Sequence, residues 1–261
     1  MERSAVDSLL RTSQAHCQQI CDKQTLDFGI AFYSGRFSSV PQANQFREVW
    51  IDDPARIADA FDEAETWFNS KGLRCHRWAP AGGEASEALT EFLMRRGFSI
   101  RRDTAMILSN WPEMDGDEKD TVRVLPARAM RAAFRTIIDK ANTSTSEPDS
   151  TQAIEAMEER LDDAPYDMFV AMDDGRPAGC CALYQVGDIA RVTDLIVHED
   201  DAAERIAKSL LKSVLVLARR LAIKNIVTQV SEQDKVRSAL FDQMGFKADG
   251  TLTEFERAAT E

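Results

Sequence analysis

The chain has 261 residues, of which 44% are hydrophobic and 29% are charged. This is the balance of an ordinary globular protein with one large or two modest domains. The net charge of −12 at pH 7 argues against a nucleic-acid-binding protein, because contact with a phosphate backbone needs a basic face. We expect no membrane segment and no secretory signal, since the apolar runs are too short and the first twenty residues are mostly polar. Five cysteines do not indicate a disulfide scaffold in a chain of this length, so we expect a cytoplasmic protein.

The first part of the chain, 1–108, is predicted to form three helices and several strands. A helix over 1–22 precedes a strand-rich region over 26–51. Asp53-Pro54 then begins a helix whose apolar residues recur at helical spacing. A strand over 73–79, a helix over 85–96 and a strand over 99–108 follow. Cys17 and Cys21 share a face of the first helix, but only His16 lies near them, so we predict no metal site.

An acidic segment rich in helix breakers separates this part from the rest. Residues 109–121 contain Asn110-Trp111-Pro112 and then the acidic run 115–120, and we predict a linker. The second domain, 122–261, is predicted to begin with a strand and two helices. These precede three antiparallel strands over 168–172, 178–186 and 189–197. A long helix over 202–221, a strand over 225–230, a helix over 234–244 and a strand over 250–256 complete it.

Short motifs recur between the two parts at nearly one offset. Arg56-Ile57-Ala58 and Arg205-Ile206-Ala207 lie 149 residues apart, and the pairs Gly97-Phe98 and Gly245-Phe246 lie 148 apart. The period is too long for a solenoid repeat. The pattern favours a duplicated unit of about domain size.

The element order of the second part resembles that of the GNAT acetyltransferase superfamily. Residues 239–246, Ala-Leu-Phe-Asp-Gln-Met-Gly-Phe, resemble its closing helix and Gly-Phe turn most specifically, and the hairpin over 169–179 is also typical. The first part resembles the family more faintly, best over 49–108. The resemblance implies an α/β (α+β) fold with two GNAT-like lobes, the N-terminal one degenerate. Each lobe would hold a mixed, mostly antiparallel twisted sheet flanked by helices.

The resemblance also implies a binding site for acetyl-CoA. In this superfamily the strand before the long helix binds the pantetheine arm through backbone groups, which by position here means Leu195, Ile196 and Val197. The following loop and first helical turn hold the pyrophosphate, since free N–H groups and the helix dipole favour an anion. The implied contacts from this turn are Ala202, Ala203, Glu204, Arg205, Ile206, Ala207 and Lys208.

This turn departs from the family signature, Gln/Arg-x-x-Gly-x-Gly/Ala. Only Ala207 fits it, and Arg205 occupies the first glycine position. The surrounding acids suit a helix N-terminus but repel a diphosphate, by about 1 kcal/mol per charge pair at 4 Å in water. Arg205 and Lys208 would compensate if they turned toward the phosphates. The equivalent segment of the first part, 52–58, also lacks the glycines.

Asp194, near the implied pantetheine strand, is the candidate general base for an amine substrate, although a solvated strand residue is the alternative. His198 is a weaker candidate. The family often places a tyrosine acid where this chain has Phe241, and Tyr184 is a candidate substitute. Asp234 is most simply the N-cap of the last helix.

Three interpretations stay open. The first is an N-acyltransferase that moves the acetyl group of acetyl-CoA to a primary amine of a small molecule or peptide by direct attack, and an acidic protein would suit a cationic substrate. The second is an inactive GNAT-like binding or regulatory module with weak or no CoA binding. The third is an unrelated α/β protein. We expect a monomer, with a homodimer as the alternative, because the first lobe would fill the place that a partner subunit takes in single-lobe relatives.

Overall fold

A computed structural model describes residues 4–113, 122–143, 150–198 and 202–257. The helices in these ranges are α1 (Ala5–Cys17), α2 (Ile57–Ser70), α3 (Glu87–Arg95), α4 (Arg131–Thr143), α5 (Ser150–Arg160), α6 (Ala203–Arg220) and α7 (Lys235–Gln243). The strands are β1 (Asp22–Leu26), β2 (Gly29–Tyr33), β3 (Gln45–Val49), β4 (Arg77–Pro80), β5 (Phe98–Leu108), β6 (Arg123–Pro126), β7 (Tyr166–Asp173), β8 (Arg176–Val186), β9 (Ile189–Val197), β10 (Asn225–Ser231) and β11 (Phe246–Arg257). In these ranges no helix combines the length and apolarity needed to cross a bilayer.

The described strands form one mixed sheet in the order β1-β2-β3-β4-β11-β5-β10-β9-β8-β7-β6. The pairs β3–β4 and β9–β10 are parallel, and the other neighbours are antiparallel. The closing strand of each half crosses to the other, since β11 pairs with β4 and β5 pairs with β10. The two crossed strands also pair with each other along most of their length. The predicted fold class is confirmed, but the two sheets are joined into one.

Helices cover both faces of this sheet. Alternate residues of β8 point to opposite sides: Cys181 and Leu183 pack under α6, whereas Cys180, Ala182 and Tyr184 pack under α4 and α5. Helix α7 lies on the α6 side, and α1 covers the centre of the sheet on the opposite side, with Leu9 against Ile189 and Val227. The aromatic-rich core of the first half lies between the sheet and helices α2 and α3.

The two halves have the same element order from β1 to β5 and from β7 to β11. Equivalent positions also share unusual backbone conformations. Gly97 and Gly245 have φ of +84° and +88°, and Glu48 and Asp194 have φ of +53° and +52°. Left-handed backbone is uncommon outside glycine, so its recurrence at an acidic residue in β3 and β9 supports the predicted repeat.

Three predicted boundaries are wrong. Helix α1 ends at Cys17 rather than near 22, and β4 is shorter than the predicted 73–79. The last strand begins at Phe246 rather than at 250, because it pairs with β5 on both sides of a bulge between Ala248 and Thr251. Gly250, with φ of +116°, lies in that bulge. The division into 1–108, 109–121 and 122–261 stays a prediction, and most of the linker lies outside the described residues.

Candidate active site

The parallel strands β9 and β10 diverge and leave a cleft in the second half. Their pairing covers only Ile189–Arg191 against Asn225–Val227, although both strands continue. Just beyond, the hydroxyl of Thr228 donates to the carbonyl of Val192 at 3.0 Å and so bridges the opening. In the first half, β3 and β4 remain paired as far as Val49 and Pro80. The cleft therefore opens where the resemblance implies pantetheine binding, and only the second parallel pair shows it.

A β-bulge places Asp194 at the edge of this cleft. The register between β8 and β9 shifts between Ala182, which pairs with Thr193, and Cys180, which pairs with Ile196. The strands approach closely here, since a Cβ atom on Gly179 would lie 2.7 Å from the carbonyl oxygen of Ile196. Bulges re-aim side chains and are common beside active sites.

A cavity of about 460 Å³ lies beside the bulge, on the sheet face covered by α1 and α5. Asp194 and Ile196 of β9 and Thr228 of β10 line it, together with residues of α1, α5 and the first-half strands. Phe241 of α7 also lines it, although α7 packs on the opposite face. The cavity therefore reaches into the gap between β9 and β10, so ligands on the two faces of the sheet could meet there.

Two aromatic side chains lie against Asp194: His16, which lines the cavity, and Tyr166, which is buried beside it. The phenol of Tyr166 donates to Asp194 Oδ2 at 2.7 Å, and His16 Nε2 lies 3.8 Å from the same oxygen. Burial, with the neighbouring carboxylate, raises the pKa of Tyr166 well above its ordinary value, so the phenol keeps its proton. Burial and nearby arginines lower the pKa of His16 well below its ordinary value, so the imidazole is neutral at neutral pH. Asp194 is therefore oriented by one donor and faces a neutral ring.

Buried ion pairs form the first-half side of the cavity. Glu254 of β11 lies 3.0 Å from Arg47 and 3.6 Å from Arg77. Burial alone would raise the pKa of Glu254, but Arg47, Arg77 and Arg101 outweigh it and lower the pKa to about 2. These charges line the wall opposite the bulge, so the cavity is built from both halves of the chain.

The residues predicted to bind acetyl-CoA all lie at the cleft or at the start of α6. The side chains of Leu195, Ile206 and Ala207 are buried in the core under α6, and Ile196 and Val197 are partly buried. Arg205 pairs with Asp173 at 2.9 Å, and Lys208 pairs with Glu204 at 2.6 Å. Both cations are therefore engaged by carboxylates near the start of α6, which Ala202 and Ala203 form. The acidic residues 199–201 lie outside the described residues.

The remaining candidates occupy varied positions. Phe241 is buried and packs edge-to-face on Phe246 with ring centroids 5.2 Å apart. Tyr184 is buried beside His16, with its pKa raised to about 12 by burial. His198 follows β9. Asp234 accepts a hydrogen bond from the backbone N–H of Arg237 at 2.9 Å, which confirms it as the N-cap of α7.

Several residues that line the cavity or lie beside it were missed by sequence reasoning. His16 was weighed only as a metal ligand, and Tyr166 was not singled out. Arg47, Arg160 and Arg191 were also passed over, although an arginine inside an apolar strand, as in Ile189-Ala190-Arg191-Val192, is a usable signal. Their proximity depends on how the two halves pack, which local patterns do not encode.

Comparison with known proteins identifies the class of this domain. Residues 137–259 match the family model described as an acetyltransferase (GNAT) domain, which includes the cleft, the bulge and α6. The second half therefore contains a GNAT-type acetyltransferase domain, which confirms the predicted resemblance. No curated protein matches the sequence at a significant level.

Solved structures share the fold over almost the whole chain. A conserved protein of unknown function from Staphylococcus epidermidis has 14% identity and a TM-score of 0.68, covering 92% of this chain and 95% of that one. A GCN5-related N-acetyltransferase from Kribbella flavida has 13% identity and a TM-score of 0.67, covering 100% and 97%. A GCN5-related N-acetyltransferase-like protein from Streptococcus suis has 10% identity and a TM-score of 0.59, covering 97% and 98%. At these identities the likeness concerns the fold, and it extends over both halves.

Proposed function

We propose that the protein is an N-acyltransferase that moves the acetyl group of acetyl-CoA to a primary amine of a small molecule or peptide. The observation that carries the proposal is the position of Asp194, on a bulge where the β9–β10 cleft meets the cavity. A carboxylate there is placed to take a proton from an ammonium group. Much of the acceleration would come from holding the amine in line with the thioester.

The residues at the cleft fit the co-substrate. Beyond Arg191 the edge of β9 that faces β10 has no strand pairing among the described residues, so backbone groups of Leu195, Ile196 and Val197 are placed to bind the pantetheine arm. The pairs of Arg205 and Lys208 are partly exposed, since the two cations are 43% and 38% exposed. Such pairs are worth about 0–1 kcal/mol, so a diphosphate at the start of α6 would compete for both cations.

The net reaction forms one N–C bond and breaks one C–S bond. The ammonium gives up two protons, one of which is released while the other ends on the thiol of CoA. Asp194 would accept the first proton, and Tyr166 would hold its carboxylate in place through the 2.7 Å hydrogen bond. Phe241 has no proton to donate, so we assign no side chain as the acid and propose that positioning carries this step.

We further propose that the halves arose by duplication and that the first half has lost its own cleft, because β3 and β4 stay paired. Its present role would be to supply one wall of the cavity and the place of a partner subunit. This arrangement predicts a monomer. A stable dimer through the second half in sedimentation would contradict the prediction. We propose a cytoplasmic location because the five cysteines are free thiols.

Calorimetric titration of the full chain with acetyl-CoA, at low and moderate salt, tests the proposal first. We expect micromolar binding at one site per chain, weaker at the higher salt. Screening of amines with the bound protein should then reveal acetylation that Asp194→Asn abolishes or lowers at least about 100-fold. Asp59→Asn is the matched control, because Asp59 is exposed on α2, away from the cavity.

A second candidate is a GNAT-shaped module that binds a ligand without catalysis. Phe241 at the usual tyrosine position favours it, as do the exposed acid Glu204 and the engaged cations beside it. Absence of heat at millimolar acetyl-CoA would support this candidate. Binding without turnover of any amine would support it as well.

A further inference from the structure

The cavity concentrates positive charge in an acidic protein. Among the described residues, its lining includes six arginines but only two carboxylates, in a chain of net charge −12. The arginines are Arg47, Arg77, Arg101, Arg160, Arg191 and Arg237. Burial of a guanidinium group costs free energy unless an anion pairs with it, so each buried arginine is expected to have a carboxylate or another anion as its partner.

Four of these arginines have carboxylate partners. Arg47 and Arg77 share Glu254, as described above. Arg101 lies 2.9 Å from Asp103, and Arg237 lies 3.4 Å from Asp234. These pairs account for the structure of the wall without a ligand.

Arg160 and Arg191 differ from the other four. Arg160 is only 5% exposed, and among the described residues its guanidinium has no hydrogen-bond acceptor and no carboxylate. Arg191 donates from Nη1 to the neutral hydroxyl of Ser13 at 2.8 Å, and in the described part of the chain no carboxylate forms an ion pair with it. The Nε atoms of both are buried without a partner among the described residues, as are those of Arg47 and Arg77, so the missing carboxylate is what sets Arg160 and Arg191 apart.

The two groups face one region of the cavity. Both guanidinium groups line the cavity together with His16, whose Nε2 lies 3.8 Å from Asp194, and after burial their charges help to lower the pKa of His16. The site thus presents cations around His16 and an anion beside it. A molecule with an ammonium and an anionic group a few atoms away would match both.

We propose that Arg160 and Arg191 bind a carboxylate of the acceptor, so that the acceptor is an amine that also carries a carboxylate, such as an amino acid. A planar guanidinium recognises a carboxylate through two parallel hydrogen bonds, which suits groups whose Nε is still unpartnered. The cavity of about 460 Å³ is of small-molecule size. This assignment rests on the proposed function, and it replaces the expectation that an acidic protein would select a purely cationic substrate.

Binding without acetyl-CoA tests the assignment separately from catalysis. The full chain would be titrated calorimetrically with the standard L-amino acids, each paired with its carboxamide, and with inorganic phosphate and phosphoethanolamine. We expect at least one amino acid to bind at least about 30-fold more tightly than its carboxamide. The carboxamide lacks the negative charge, so the buried arginines would lose their charge partner. Arg160→Gln and Arg191→Gln should each remove this preference.

The control is Arg95→Gln, because Arg95 is exposed on α3, distant from the cavity. Thermal melts of the free variants add a second readout: Arg160→Gln should melt at or above the temperature of the unsubstituted protein, since it removes an unpaired buried charge.

Equal binding of acids and carboxamides, no binding at millimolar ligand, or unchanged binding by Arg160→Gln would overturn the proposal. Tighter binding of phosphoethanolamine would replace the carboxylate by a phosphate and also overturn it. Carboxylate-dependent binding without acetylation would refute the proposed function alone, whereas acetylation of amines without carboxylate preference would refute this inference alone.

Discussion

Replacement of Glu254 by Gln probes the ion pairs that join the two halves at the cavity. The pKa of Glu254 is lowered from 4.5 to about 2, chiefly because Arg47 and Arg77 outweigh the cost of burial. By linkage this corresponds to roughly 3 kcal/mol of stability. The folded-state pKa is depressed, so the contribution is fully present above about pH 4.5 and disappears as the pH falls toward 2.

Glu254→Gln leaves Arg47, which is only 4% exposed, without its closest carboxylate. We expect the variant to be less stable by about 3 kcal/mol at pH 7, as for other broken buried pairs. At pH 3 the difference should shrink by about 2 kcal/mol, because most of the carboxylate's contribution is already lost there. Urea unfolding followed by tryptophan fluorescence, at several pH values between 7 and 3, measures both quantities.

Glu91→Gln is the matched control, since Glu91 is 60% exposed and lies 3.8 Å from Arg95 on the surface of α3. Its effect should stay below about 1 kcal/mol at every pH. A difference between the unsubstituted protein and Glu254→Gln that stays the same from pH 7 to pH 3 would refute the reasoning about the pair.

Two other predictions concern the site and the turns. Tyr166→Phe removes the hydrogen-bond donor to Asp194. It should lower kcat/KM for acetylation by about 10-fold or more, because a hydrogen bond to a charged group is worth about 1.5–3 kcal/mol. An unchanged kcat/KM would show that the phenol does not position the carboxylate. Gly245→Ala should prevent stable folding, because φ is +88° and the added Cβ would lie 1.8 Å from the carbonyl oxygen of Asn110. Gly97→Ala has a similar φ but an open surrounding, so its thermal melt should reveal a loss of only about 1–2 kcal/mol. Equal losses at the two glycines would contradict the difference in packing.

Local patterns predicted much of the second half. The hairpin over 169–179, the cap at Asp234 and the long helix over 202–221 each have a physical cause that lies within a few neighbouring residues. The Gly-Phe turns were also predictable, because glycine tolerates the left-handed backbone that both turns require. Asp194 was selected by its position in a family pattern, and its φ of +52° had no signal in the sequence.

The parts that local patterns missed depend on long-range packing. Nothing near Phe98 or Phe246 indicates that β5 and β11 cross into the opposite half. The alternation of apolar and polar residues along each strand would be the same in either sheet. The partners of Asp194 lie 28 and 178 residues away, at Tyr166 and His16. Such contacts follow from the pairing of the halves, so the first half was expected to be structural only.

The crossing of β5 and β11 also constrains how this protein can evolve. A chain shortened to its second half would lose the strand between β10 and β11, and with it the wall that carries Arg47. The half whose cleft is closed therefore cannot be discarded once the strands have crossed. The sequence of its helices α2 and α3 can change, but selection on the second half will continue to hold β3 and β5 in place.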